Sequence, residues 1–187
     1  TLNGYLENRG KFDEFPLATE AADIWFETLM DYGAYRDLKR HRRNLFLRAP
    51  ATAAIGFEYP EYMDELSEVK MMLEDCVRLT VELYHKVKEK YPSLAEYIVI
   101  FANKQRIFWK MDLRQFVYVV ELRTPPAGHH SYRTLCQQMY HQVESHIPIL
   151  SQYIRVDTSS GDEGRKKQEE KTVEKLQSLG GDLERVC

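Results

Sequence analysis

Leu66, Val69, Leu73, Cys76, Val77, Thr80, Leu83, Tyr84 and Val87 recur at a spacing of three and four residues. That period predicts an amphipathic helix over residues 61–90, the longest in the chain, with Cys76 on its buried stripe. Pro92 ends it, and Ser93 is of the type that caps a further short helix reaching to about Ile100. A second stripe, Leu113, Phe116, Val117 and Val120, predicts a helix over 112–122, buried on one side and capped by Asp112. A third, Tyr132, Leu135, Cys136, Met139, Tyr140, Val143 and Ile147, predicts a helix over 129–147. Cys136 falls on its core side, and His141 and His146 fall off the stripe, on the surface. Pro148 restarts the backbone for a short turn through Ile154. The run from Gln105 to Met111 reads as a strand leading into the second helix. Residues 22–31 suit helix or strand, and their aromatic and β-branched content tilts the reading to strand, broken by Gly33. Pro50, Gly56 and Pro60 make 45–60 loop and short extended structure, and residues 1–15 are a lead-in.

These elements add up to an α+β fold: a curved, mostly antiparallel sheet packed with long helices, the helices at 61–90, 112–122 and 129–147 supplying most of the core. With 187 residues and 43% hydrophobic content the chain is long enough for one full core. That domain is expected over 1–156. Over 157–187 a linker, Asp157 to Gly164, gives way to dense Lys and Glu with only Val173, Leu176 and Leu179 as an apolar edge, a tail that is solvated or partner-bound. Thr1 in place of an initiator Met points to a processed chain or a piece of a longer one.

The net charge of -3 gives no global reason to expect nucleic acid or an anionic membrane, so any attraction for anions is local. Cys76, Cys136 and Cys187 include no CxxC pair, which speaks against a disulfide framework or a zinc site and for a reducing cytoplasm. No apolar run reaches the length of a membrane span.

Positive charge is concentrated in residues 36–43, where Arg36, Lys39, Arg40, Arg42 and Arg43 surround His41. Three readings compete: a solvated basic face, a phosphate or cofactor-anion site, and a nucleic-acid contact, the last opposed by the acidic pI near 6.1 and the lack of interleaved aromatics. On the second helix Arg114, Tyr118 and Glu121 fall at i, i+4 and i+7, a polar stripe on an otherwise apolar rod. Arg123 closes that helix, Pro125 and Pro126 forbid its continuation, and His129 and His130 stand where the next begins. Two imidazoles, a guanidinium and open N–H groups at a helix start suit an anion pocket. The alternative is that Arg123 neutralises its helix's last carbonyls and the histidines are exposed loop residues.

Taken in order, Arg40-His41-Arg42 ending a helix, Arg106-Ile107-Phe108-Trp109 leading into Asp112-Leu113-Arg114, then Glu121-Leu122-Arg123 and a histidine soon after, resemble the flavin-dependent thymidylate synthases. The likeness runs from about Pro16 to Ile154. It implies that Arg40, His41 and Arg42 help hold FAD and a deoxyuridine nucleotide, and that Asp112 and Arg114 occupy the family's Asn-x-Arg contact to FAD from a neighbouring subunit. By the same resemblance Arg123 binds and polarises the uracil ring, and His129 or His130 contacts the flavin. Arg123 would then be the catalytic residue, with Arg40 sharing substrate binding. The activity implied is FAD-dependent methyl transfer to a deoxyuridine nucleotide, which converts dUMP to dTMP, with reduced nicotinamide and folate as co-substrates, in a cytoplasmic homo-oligomer, a tetramer in the family. No metal and no membrane are implied, and no nucleic acid.

The chain departs from the pattern at definite places. After Arg-His-Arg the family reads x-x-Ser-x-Asn-Glu-x-Ser-x-Arg, and Leu45, Leu47, Arg48, Pro50 and Thr52 stand here instead. A further substrate arginine falls at or near Glu96, and Tyr118 replaces a usual asparagine. The alternative reading is therefore a non-catalytic flavin- or nucleotide-binding or assembly domain of the same fold, or one part of a longer chain.

Overall fold

The computed structural model describes residues 2–160 and 163–178. In chain order it contains helix α1 (Leu2–Glu7), strand β1 (Asp23–Asp31), helix α2 (Tyr32–Leu38), strand β2 (Leu45–Arg48), helix α3 (Ser67–Lys90), strand β3 (Lys104–Asp112), and helices α4 (Leu113–Arg123), α5 (His130–His146), α6 (Pro148–Ser151) and α7 (Glu163–Ser178). Two compact units result, Thr1–Val119 and Val120–Cys187. The fold class is the mixed helix and sheet expected, with a small, open, antiparallel sheet.

In the first unit β3 is the central strand, with β1 and β2 antiparallel on either side. Alternation along the strands sends Thr28, Met30, Gln105, Ile107, Trp109 and Met111 inward and leaves Trp25, Leu29, Arg106 and Phe108 exposed. Trp109 is the hub. It pairs in register with Phe26 on one side and Phe46 on the other, and its ring stacks on Phe46 with centroids 4.8 Å apart. The α4 stripe packs as its period requires: Leu113, Phe116, Val117 and Val120 are all buried, and Phe26 stacks on Phe116. Asp112 caps the helix, accepting the Gln115 N–H at 2.7 Å. Gln105, wholly buried, accepts from the Thr52 N–H at 3.1 Å and donates to the Thr52 carbonyl at 2.9 Å, which pins the segment after β2 to the sheet.

The long helix differs from its sequence reading. Residues 61–65 are a 3-10 turn, and α3 proper starts at Ser67. Of its apolar residues only Val77 and Tyr84, with Thr80, are buried, and Tyr84 forms a small cluster with Ala53 and Ala95 against which Val81 and Val87 pack. Val69, Met72, Leu79 and Leu83 are exposed, and so is Cys76. Alpha-3 therefore supplies a minor part of the core. Ser93 is not a cap either: Pro92–Ile98 is a 3-10 helix whose cap position is Tyr91.

In the second unit Leu135, Cys136, Met139, Tyr140 and Val143 of α5 form the core with Ile154. Arg133, buried among them, donates from Nε to the Thr124 carbonyl at 2.8 Å and from Nη2 to the Ser159 carbonyl at 2.9 Å. The first residues of the expected linker are thus tied down. His141 and His146 are exposed, as their off-stripe positions require. In α7 Val173 is exposed; Leu179 lies outside the described residues, as does the Leu176 side chain. Among the described residues no helix is long and apolar enough to cross a membrane.

The cysteines give a direct check. Burial pushes the Cys136 thiol up to about 12, while Cys76 is open to solvent. Peptide mapping after iodoacetamide at pH 8 is expected to find Cys76 alkylated and Cys136 protected until the chain is denatured. Rapid modification of native Cys136 would contradict its packing.

Candidate functional site

The basic run lies where β1 hands over to α2. Asp31 caps α2 by accepting the Ala34 N–H at 2.8 Å, and the helix stops at Leu38. Arg40-His41-Arg42 therefore follows the helix instead of ending it, held in a turn by the His41 N–H donating to the Leu38 carbonyl at 3.0 Å. His41 is buried and meets the ring of Tyr118 edge-on, centroids 5.8 Å apart. Arg40 reaches its own helix's Asp37 at 3.1 Å, and Arg42 points its charge to solvent.

Alongside this turn stands an ion-pair cluster. Arg43 bonds Glu20 at 2.8 Å and lies 3.6 Å from Asp112. Arg114 bonds Glu20 at 2.7 Å and also pairs with Glu14. The guanidiniums of Arg43 and then Arg114 hold the Glu20 carboxyl below the usual carboxylate range, and Glu20 in turn raises Arg43. So the structure joins Asp112 and Arg114 through Arg43 and Glu20 and sets His41 against Tyr118 on the same helix as Arg114, with Arg40 and Arg42 beside His41 in the chain; it adds three groups that the motif reading did not single out: Arg43, Glu14 and Glu20. Arg43 was visible as the next member of the basic run. Glu20 lies 94 residues from Arg114 and carries no local signal.

Chemically this is a group of cations that carboxylates already face. Two groups nearby still have capacity. The Nε of Arg114 and both amide atoms of Asn44 are enclosed, with no hydrogen-bond partner among the described residues. An incoming anion with several acceptor oxygens fits that donor set, provided it competes with Glu14 and Glu20.

Downstream, Leu45, Leu47 and Arg48 belong to β2, where Leu45 opposes Lys110 and Leu47 opposes Phe108. Leu45 and Leu47 are exposed. Glu96 accepts the Ala51 N–H at 2.9 Å and pairs with Arg48 at 3.4 Å; these two partners, the backbone N–H first, lower its carboxyl from the ordinary value. The glutamate at the position of an expected arginine thus has its own arginine partner.

The second unit holds the remaining candidates. The Arg123 guanidinium lies over the Tyr132 ring, 5.3 Å from its centroid. His129 caps α5, its Nδ1 facing the Ser131 N–H at 3.4 Å and the Ser131 hydroxyl at 2.9 Å, and its ring lies against that of His130, centroids 4.4 Å apart. Gly128 is required here: a Cβ would come within 2.8 Å of Tyr132 and 3.2 Å of the Pro125 carbonyl. Glu121, the last of the polar stripe, accepts the Arg155 N–H at 3.0 Å.

Residues 16–149 match the model of the Thy1 family, thymidylate synthase complementing protein. The chain belongs to this family. Among curated relatives it is 32% identical over 148 residues to a UPF0159 protein of Thermoplasma acidophilum, covering 78% of this chain and 30% of that protein. It is 31% identical over 156 residues to a UPF0159 protein of Chlamydia pneumoniae, covering 82% of this chain and 29% of that one. The chain thus spans about a third of the length of the curated relatives it matches. A solved structure, the UMP/dUMP methylase PolB from Streptomyces cacaoi bound with 5-Br dUMP, superposes with a TM-score of 0.66 over 81% of this chain and 77% of that one. At 14% identity this likeness shows a shared fold and nothing finer. The matched stretch contains both the Arg-His-Arg turn and α5.

Proposed function

We propose that this Thy1 chain takes part in thymidylate synthase-like methyl transfer to a deoxyuridine nucleotide, dUMP to dTMP, using FAD, with reduced nicotinamide and folate as co-substrates. The observation that carries it is that, in a Thy1 domain, Arg43 beside the Arg40-His41-Arg42 turn and Arg114 of α4 meet on one carboxylate, Glu20, with His41 against Tyr118 of the same helix. In this reading the domain over 1–156 works with the tail 157–187 attached, as a homo-oligomer in a reducing cytoplasm. Arg114, Arg42 and the Asn44 amide hold cofactor phosphates; Arg40 shares the substrate's phosphate; His129 or His130 contacts the flavin; Arg123 meets the uracil ring as it becomes electron-rich. The bound flavin supplies the hydride chemistry, and the chain supplies orientation and positive charge.

Asp112, an anion where the family has an amide, does not face the cofactor in this reading. It caps α4 and balances Arg43.

The test is the visible spectrum after incubation with FAD and desalting. Retained flavin is expected, weakened on the order of 10- to 100-fold in Arg114→Ala, which loses charge-assisted hydrogen bonds. Glu20→Gln should shift the other way and tighten binding, because it releases Arg43 and Arg114 from a competing carboxylate. Turnover of dUMP then tests catalysis. A second reading, a non-catalytic domain of the same fold, is favoured by one observation: the loop positions Leu45, Leu47 and Arg48 lie here in a strand, and Arg48 is already paired with Glu96, which stands at the further arginine's place. No retained flavin at any concentration would select it.

A further inference from the structure

Two neighbours on α5, Tyr132 and Arg133, hold the end of α4 in different ways. Arg133 fixes the backbone there, because its Nε donates to the carbonyl of the buried Thr124 at 2.8 Å. Tyr132 meets the side chain of the residue before, with the Arg123 guanidinium 5.3 Å from its ring centroid. The tyrosine ring has little room to turn. A Cβ on Gly128 would come within 2.8 Å of its Cε2 atom, and the Gly128 N–H donates to the Pro125 carbonyl at 2.9 Å, so a closed turn stands against the ring edge. The His129 ring is also close, centroids 6.2 Å apart.

A guanidinium carries its N–H donors in its own plane and is attracted to aromatic rings by its faces. A ring that takes one face therefore fixes the plane of the group without using a donor. Ordering a long, mobile side chain at the moment of binding lowers affinity, and a side chain already ordered avoids that loss. An aliphatic residue of similar bulk would not serve, since it offers no π-face. We propose that Tyr132 is the positioning residue of Arg123: its ring holds one face of the guanidinium, so that the donor-bearing edge is aimed at a carbonyl oxygen of the nucleotide's uracil ring. This rests on Arg123 meeting that ring as proposed, and adds to it a tyrosine that its spacing assigned to the core stripe of α5.

The experiment uses the full chain, with Tyr132→Leu to remove the ring, Tyr132→Phe to keep it, and Gly128→Ala to push a methyl group against its edge without altering it. Circular dichroism checks that each variant is folded. The Arg123 Nε–H signal, identified in proton–nitrogen spectra by its loss in Arg123→Lys, should carry the ring-current displacement of a neighbouring aromatic in the parent and in Tyr132→Phe, and lose it in Tyr132→Leu. Affinity for dUMP should fall about 2- to 30-fold in Tyr132→Leu, the span of a cation–π contact, recover in Tyr132→Phe, and lie between the two in Gly128→Ala. Deoxyribose 5-phosphate, which lacks the uracil ring, should bind parent and Tyr132→Leu alike. A parent that binds no dUMP overturns the proposed function and the assignment of Tyr132 together. Binding of dUMP that Tyr132→Leu leaves unchanged, or weakens no more than it weakens the sugar phosphate, overturns the assignment alone and leaves the function standing. Where Tyr132→Leu does not fold, Gly128→Ala decides: an Arg123 signal and a dUMP affinity both equal to the parent's overturn the proposal.

Discussion

Trp109→Ala is expected to destabilise the N-terminal unit by about 3–5 kcal/mol, the range for removing a large aromatic from a packed core. The residue has no exposed surface and sits on the central strand, opposite Phe26 on β1 and Phe46 on β2. Deleting it removes the stacking partner of Phe46 and opens a cavity that two separate strands line. Antiparallel pairing holds those strands by their backbones, so they have little freedom to close over the gap. Trp109→Phe distinguishes this from a general intolerance of change. The indole Nε1 is buried with no hydrogen-bond partner among the described residues, so phenylalanine loses volume without orphaning a polar group. It should cost less than about 1.5 kcal/mol. Urea unfolding followed by circular dichroism reads both. An alanine variant within 1 kcal/mol of the parent, about the median for any substitution, would mean that Trp109 is not the hub of the sheet.

How much of this was legible depends on what periodicity reports. It reports the width and direction of an apolar arc, and where the whole arc is covered, as on α4 and α5, the core residues follow from the spacing: Phe116, Val117, Val120, Cys136 and Met139 are all buried. On α3 the same rule fails, because part of the arc is left uncovered. Cys76 lies on the uncovered part, so the stripe that suggested a core cysteine leaves it exposed. Ser93 failed for a different reason. Pro92 opens a 3-10 helix one residue earlier, so the serine lies inside the element it was expected to cap.

The site divides in the same way. Asp112 as a cap was readable because capping is local, three residues long. The cluster around Glu20 was not, because opposite charges 23 and 94 residues apart meet only once β1 and β3 have paired. A motif names the cations of an anion site well, since they must be present in order. It says nothing of carboxylates from elsewhere in the chain that balance them, and these decide how readily a phosphate enters.

Arg133 carries the second large effect, and no periodic signal pointed to it. It is buried, its Nε bonded to the carbonyl of the fully buried Thr124, its Nη2 to the Ser159 carbonyl, with Asp157 at 3.6 Å. One guanidinium fork therefore closes the segment after α4 and the segment after Ile154 onto α5. Arg133→Met keeps much of the stem but leaves the Thr124 carbonyl without this donor and Asp157 without its cation, which should destabilise the unit by about 2–4 kcal/mol. Arg133→Lys should recover only part of that, since an ammonium lacks the planar fork that reaches both carbonyls. Acid sharpens the test. The Ser159 hydroxyl first, then its N–H, and Arg133 hold the Asp157 carboxyl below its ordinary value. A depressed folded-state pKa contributes stability that is complete above the unfolded value and disappears as pH falls through the folded one. The parent protein should accordingly lose stability on the acid side of that window, and Arg133→Met should show a shallower loss, because only the Ser159 bonds remain to favour the carboxylate. Hydrogen exchange of α5 amides measured across that range reads the unit directly. Protection unchanged by Arg133→Met, or an acid slope as steep as in the parent, would mean that the fork does not hold these segments together.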